Sequence, residues 1–130
     1  MRQAVVWIDH KKARVFALDE GAVSPSLVNA PGAHIHRHPK EQEVRVRNHP
    51  DDEHRFFHDV ARALEGSAEI LLVGPAKTKL HFLRYVQRHE HALEPKIVGI
   101  ETANHPTDAQ LMAYLRDYFH GSRPGHDLTA

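Results

Sequence analysis

The chain has 130 residues, enough to bury one core and too few for two, and its 41% hydrophobic and 26% charged residues make a globular balance rather than that of a disordered chain. Cysteine is absent, which excludes disulfides, thiol catalysis and thiolate-held zinc, and a formal net charge of +0 removes any case for nucleic-acid binding from bulk charge. No apolar run approaches the ~20 residues of a membrane span and no signal core opens the chain, so a cytoplasmic address with no membrane contact is expected.

Ala4-Val5-Val6-Trp7-Ile8 is apolar at every position and rich in β-branched and aromatic residues, which predicts a central strand covered on both faces. Asp9-His10-Lys11-Lys12 turns the chain, and Ala13 to Leu18 predicts the second arm of a hairpin, nearer the sheet edge because it alternates more. After Asp19-Glu20-Gly21 a third strand is expected through Ser26 to Asn29. From Ala30 to Asn48 proline, glycine, histidine and charge dominate, which reads as a long exposed loop, with Val44-Arg45-Val46-Arg47 as a short alternating edge strand within it.

Pro50-Asp51-Asp52-Glu53 starts a helix that carries Phe56, Phe57, Val60, Ala61 and Leu64 on one face and stops at Glu65-Gly66. Glu69 to Val73 reads as a doubly buried strand that Gly74-Pro75 turns directly into a second helix running to about His91. Lys96 to Ile100 reads as another buried strand. Thr107-Asp108-Ala109-Gln110 then forms a capping box for a third helix that sends Leu111, Met112, Leu115 and Phe119 inward and ends at Gly121. Three strands in a meander followed by helix, strand, helix, strand, helix predict an α/β domain over residues 1–121. Right-handed crossovers give a mixed five-stranded sheet of order 3-2-1-4-5 with three helices, the ribonuclease H-like arrangement. Residues 122–130 read as a flexible C-terminal tail.

Three stretches carry a family resemblance. They are the hairpin Val5 to Phe16, the strand and turn Ile70 to Lys79, and Ile97-Val98-Gly99-Ile100-Glu101-Thr102-Ala103 followed by the capped helix. In order and spacing they resemble the middle domain of archaeal and eukaryotic class-1 release factors and of their bacterial release-factor-like relatives. In that family the loop before the first helix carries Gly-Gly-Gln, which helps water attack the peptidyl-tRNA ester. Here the corresponding stretch, His34-Ile35-His36-Arg37-His38-Pro39-Lys40-Glu41-Gln42, has no glycine pair before Gln42, so the close backbone approach that glycines permit is lost and the hydrolase activity does not carry over. The resemblance implies a non-catalytic, ribosome- or tRNA-associated role in hibernation, rescue or stress protection, with no cofactor.

The residues expected to touch RNA fall in two groups. One is the loop, through His34, His36, Arg37, His38, Lys40, Gln42, Arg45 and Arg47. The other is the second helix, where Lys77, His81, Arg84, Arg88 and His91 follow spacings of four, three, four and three and so share one stripe that could track a phosphate backbone or simply be a solvated face. Alternating His34, His36 and His38 would turn to one side of an extended chain, as a metal site needs, but cysteine is absent and no carboxylate is fixed nearby, so a pH-sensitive basic loop is expected instead. Thirteen histidines in all should make the protein appreciably cationic in mild acid. Asp9, Glu101 and Asp108 are the carboxylates a ribonuclease H-like, metal-dependent RNA-cleaving enzyme would use, and each also has a local backbone reason to be where it is. An exposed sheet edge that pairs two copies into a homodimer is the remaining alternative.

Overall fold

The computed structural model describes residues 2–31 and 50–121. Its five strands are β1 (Arg2–Ile8), β2 (Lys12–Asp19), β3 (Ala22–Asn29), β4 (Glu69–Gly74) and β5 (Ile97–Thr102). Helices α1 (Pro50–Ala63), α2 (Thr78–His89) and α3 (Asp108–Arg116) connect or follow them, and a short 3-10 turn, Glu94–Lys96, precedes β5. The sheet order is β3-β2-β1-β4-β5, as the element order predicts. β1 runs antiparallel to β2 and parallel to β4, β2 runs antiparallel to β3, and β4 runs parallel to β5.

β1 is central because its side chains have apolar partners above and below. Ala4, Val6 and Ile8 join Ile70 and Leu72 against α1 and α2, whose Phe56, Phe57, Val60, Leu64, Phe82 and Val86 complete that layer. Val5 and Trp7 alternate to the other side, where Phe16, Leu71, Val73, Leu111 and Leu115 form a smaller layer under α3. Two helices on one face and one on the other make a three-layer sandwich.

The hairpin turn rests on Asp9, whose Oδ1 accepts the backbone N–H groups of Lys11 (2.8 Å) and Lys12 (3.0 Å). At the end of β4, Gly74 lies so close to the Ile8 carbonyl that a Cβ there would collide with it, which is why the strand can turn beneath α2 at this point. The capping box forms as read: the Thr107 hydroxyl accepts from the Gln110 N–H at 3.1 Å and the Gln110 side chain accepts from the Thr107 N–H at 2.8 Å.

Three elements, β3, α2 and β5, differ from the sequence expectation. β3 starts at Ala22 rather than Ser26, because its whole length pairs with β2 from Asp19↔Ala22 to Lys12↔Asn29. β2 lies between β1 and β3, one strand from the edge as its alternation predicts, with Ala13 and Val15 to Leu18 buried. α2 does not follow the Gly74-Pro75 turn directly but begins at Thr78, and it ends at His89, which leaves His91 in the turn beyond the helix. β5 is not doubly buried: it is the edge strand, and Val98 (45% exposed) and Ile100 (40%) reach solvent. An apolar run of this length reads the same whether one flank or both are covered. The segment Val44 to Arg47 and the tail lie outside the described residues. Among the described residues no helix is long and apolar enough to cross a membrane.

Candidate nucleic-acid interface

α2 is amphipathic. Phe82, Tyr85 and Val86 face the sheet, while His81, Arg84, Gln87 and Arg88 are exposed on the opposite side. The stripe read from spacing is therefore real from Lys77, at the N-cap position, through His81 and Arg84 to Arg88, and loses His91. Lys77, Arg84 and Arg88 have no carboxylate within ion-pair distance among the described residues. His81 Nδ1 lies 3.8 Å from Glu53 Oε2 on α1, with both side chains about half exposed, a pair that contributes little to stability. Leu80, on the same helix, is 49% exposed rather than turned into the core.

Lys79 lies on the buried side of the same helix. It is 7% exposed, and its Nζ donates to the Ala76 carbonyl at 2.7 Å, so this lysine braces the turn between β4 and α2. The eight loop residues His34, His36, Arg37, His38, Lys40, Gln42, Arg45 and Arg47 lie outside the described residues.

Sequence spacing missed the contribution of α1. Its exposed side chains Arg55 and His58 lie on the same helical layer as the stripe, and His54 meets α2 directly, 5.0 Å from the His89 ring and 5.5 Å from Tyr85. The four-residue interval between His54 and His58 was the available signal. Acidic Glu53 and Asp59 interleave with these groups, so the surface is mixed rather than uniformly basic. At the far end of the two helices Glu90 collects two donors. Arg62 Nη2 donates to it at 2.6 Å and the Tyr85 hydroxyl at 3.0 Å. Burial, and then this bond to a carboxylate, pushes the Tyr85 phenol up to about 12, and the Glu90 hydrogen bond raises the Arg62 guanidinium further above its already high range.

The three carboxylates a nuclease would need are each committed elsewhere. Asp9 holds the hairpin turn. Glu101 accepts a short hydrogen bond from the Tyr114 hydroxyl. Burial first and this bond second hold the Tyr114 phenol well above its usual range. Asp108 receives Arg14 Nη1 at 2.8 Å, while Arg14 Nη2 donates to the Pro106 carbonyl at 2.7 Å. Among the described residues no three His, Asp or Glu side chains converge as a metal ion requires. Trp7 is core, not an exposed stacking platform: it is 1% exposed, donates Nε1–H to the Ala103 carbonyl at 3.1 Å, and lies under the Arg14 guanidinium at 4.6 Å.

No protein-family model and no curated protein matches the sequence. Solved structures do match its fold. Thermoplasma acidophilum Pelota is 16% identical with a TM-score of 0.59, Archaeoglobus fulgidus Pelota 15% with 0.56, and the archaeal translation termination factor aRF1 10% with 0.57. The matches cover 88%, 88% and 86% of this chain but only 31%, 30% and 32% of those proteins, so the chain spans about a third of their length. Over most of its length the chain thus has the ribonuclease H-like fold of the middle domain of Pelota and aRF1, the likeness its hairpin, Gly74 turn and capped third helix predicted.

Proposed function

We propose that this protein binds RNA of the translation machinery, ribosomal or transfer RNA, and acts without catalysing hydrolysis, in a hibernation, rescue or stress role. The observation that carries the reading is the exposed stripe of Lys77, His81, Arg84 and Arg88 on α2, three of whose cations have no acidic partner among the described residues. Cations one or two turns apart on one helix face can each displace a counterion from a phosphate, which yields affinity even in a protein of formal net charge +0. The loop residues from His34 to Arg47 would add a second contact from the chain segment that carries Gly-Gly-Gln in release factors, and the fold shared with Pelota and aRF1 supports a place in translation.

Co-sedimentation with ribosomes, and titration with tRNA at several salt concentrations, tests this reading. Reversing Arg84 and Arg88 to Glu together should weaken association about tenfold or more at low salt and flatten the plot of log affinity against log salt by about 2. Reversing the loop cations Arg45 and Arg47 should have a similar effect. Association unchanged in both double variants would end the proposal.

A further inference from the structure

The α3 face of the sheet is covered over β1 and β4 but left open over most of β3. Leu111 and Leu115 of α3 pack with Val5, Trp7, Leu71 and Val73, and the layer ends at Phe16 and Leu18 of β2, with Val23 of β3 partly buried beside it. Directly paired residues share a face, so Pro25, opposite Phe16, and Leu27, opposite Arg14, turn to this side. Leu27 is 59% exposed, the most of any large apolar side chain among the described residues, whereas its neighbour Val28 packs against the core on the α1/α2 face. Between β3 and the start of α3 lies an open groove of about 450 Å³, within the size range of small-ligand sites, in which Phe16, Pro25 and Leu27 adjoin Lys12, Arg14 and Asp108. Arg14 and Asp108 pair at 2.8 Å and cancel, which leaves Lys12 as the uncompensated charge of the groove. Lys11 and His10, both exposed, continue the basic run onto the hairpin tip, and neither lysine has a carboxylate within ion-pair distance among the described residues. The backbone of the tip is fixed: the Asp9 N–H donates to the Lys12 carbonyl at 3.0 Å, the Ala30 N–H donates to the Lys11 carbonyl at 2.8 Å, and Asp9 Oδ1 accepts from both lysine N–H groups. Cations carried on an ordered backbone bind without the entropy cost of ordering it.

We infer that this groove and the hairpin tip beside it form a binding site for single-stranded RNA, in which one base lies against Leu27 and Pro25 and the neighbouring phosphates meet Lys12 and Lys11. The inference rests on the RNA-binding reading above and gives it a second contact, on the sheet face opposite α2. Charge and shape together select the occupant. Each unit of a single strand carries a flat, weakly polar base face beside an anion, and the groove sets exposed apolar side chains beside a free cation. Cations at consecutive positions suit a chain of repeated anions better than the lone carboxylate of a peptide end. In a duplex the base faces are already stacked on one another, so the groove takes up the single strand and discriminates against the double one.

Fluorescence anisotropy on the full chain tests the inference, with a labelled single-stranded RNA of about ten nucleotides and the same strand annealed to its complement. The single strand should bind more tightly than the duplex. Leu27→Glu should weaken single-strand binding about tenfold. Lys11→Ala combined with Lys12→Ala should flatten the plot of log affinity against log salt by about 1.4. All three side chains are exposed, and circular dichroism checks that each variant is folded. Crosslinking of a 4-thiouridine-substituted strand to the wild type needs no variant and should attach between Lys12 and Phe16 or between Pro25 and Leu27. Binding lost on Arg84→Glu with Arg88→Glu but unchanged in both groove variants would overturn this site and leave the α2 stripe standing. Loss in the groove variants alone would support this site and remove the stripe. Equal affinity for duplex and single strand, crosslinks confined to α2, or tighter binding of an acidic peptide of the same length would each overturn the inference, and a chain that binds no RNA at all would end both readings.

Discussion

The two faces of the sheet bury their helices by different physical means. On the α1/α2 face the work is done by apolar contact: Phe57, Phe82 and Tyr85 interlock, with Phe57 and Phe82 5.5 Å apart edge to face, and the buried cluster spans both helices. On the α3 face a nine-residue helix offers two fully buried side chains, Leu111 and Leu115, and polar ties make up the difference. Trp7 holds the Ala103 carbonyl, Arg14 holds Asp108 and the Pro106 carbonyl, and Tyr114 holds Glu101. A short helix gains little from burial alone, so its position depends on directional bonds at its ends.

The contrast can be broken by deletion. Phe82→Ala empties the centre of the apolar face and should cost about 3–5 kcal/mol, read as a lower urea midpoint with an unchanged slope. Arg14→Ala removes the clamp between β2 and the start of α3 together with the cation over Trp7, and about 1–3 kcal/mol should follow. If the polar ties are what place α3, this variant should also speed amide exchange in α3 before α1 or α2. A loss spread evenly over all three helices would show that the two faces do not differ in this way.

The finest discrimination comes from alkali. Tyr85 on one face, and Tyr114 and Tyr118 on the other, have phenols raised above the usual value of 10, in each case chiefly by burial. A phenol raised in the folded state favours its protonated form there, so the stability it contributes is complete below about pH 10 and is lost as pH climbs through the folded value, about 12 for Tyr85. Stability measured from pH 8 to 11 should be flat and then fall. Tyr114→Phe should remove part of the fall on the α3 side and expose the Glu101 carboxylate to its unpaired cost at neutral pH. A decline just as steep in Tyr114→Phe would assign the alkaline loss to Tyr85 and Tyr118.

Element order, sheet topology and the capping box were legible in the chain because they rest on local chemistry. Periodicity distinguishes strand from helix, Asp9 closes its turn with backbone N–H groups two and three residues on, and Thr107 and Gln110 satisfy each other within one turn. The stripe on α2 was legible for the same reason, since spacing alone sets which residues share a helical face. What joins Glu101 to Tyr114, Arg14 to Asp108 or His54 to His89 was not, because those partners are 13, 94 and 35 positions apart and meet only when the layers close. The carboxylates that made a nuclease conceivable in sequence thus acquired separate partners in space.

The amino-acid order by itself determined which segments become strands and helices, and hence the 3-2-1-4-5 sheet, because hydrophobic period and turn chemistry act over a few residues. Tertiary structure alone decided how far each strand is covered and what reaches the edges. Ile70-Leu71-Leu72-Val73 and Ile97-Val98-Gly99-Ile100 look alike as apolar runs, yet one is sealed between layers while the other ends the sheet with its outward peptide groups open. Burial is a property of neighbours, and a strand acquires its neighbours only when the sheet assembles.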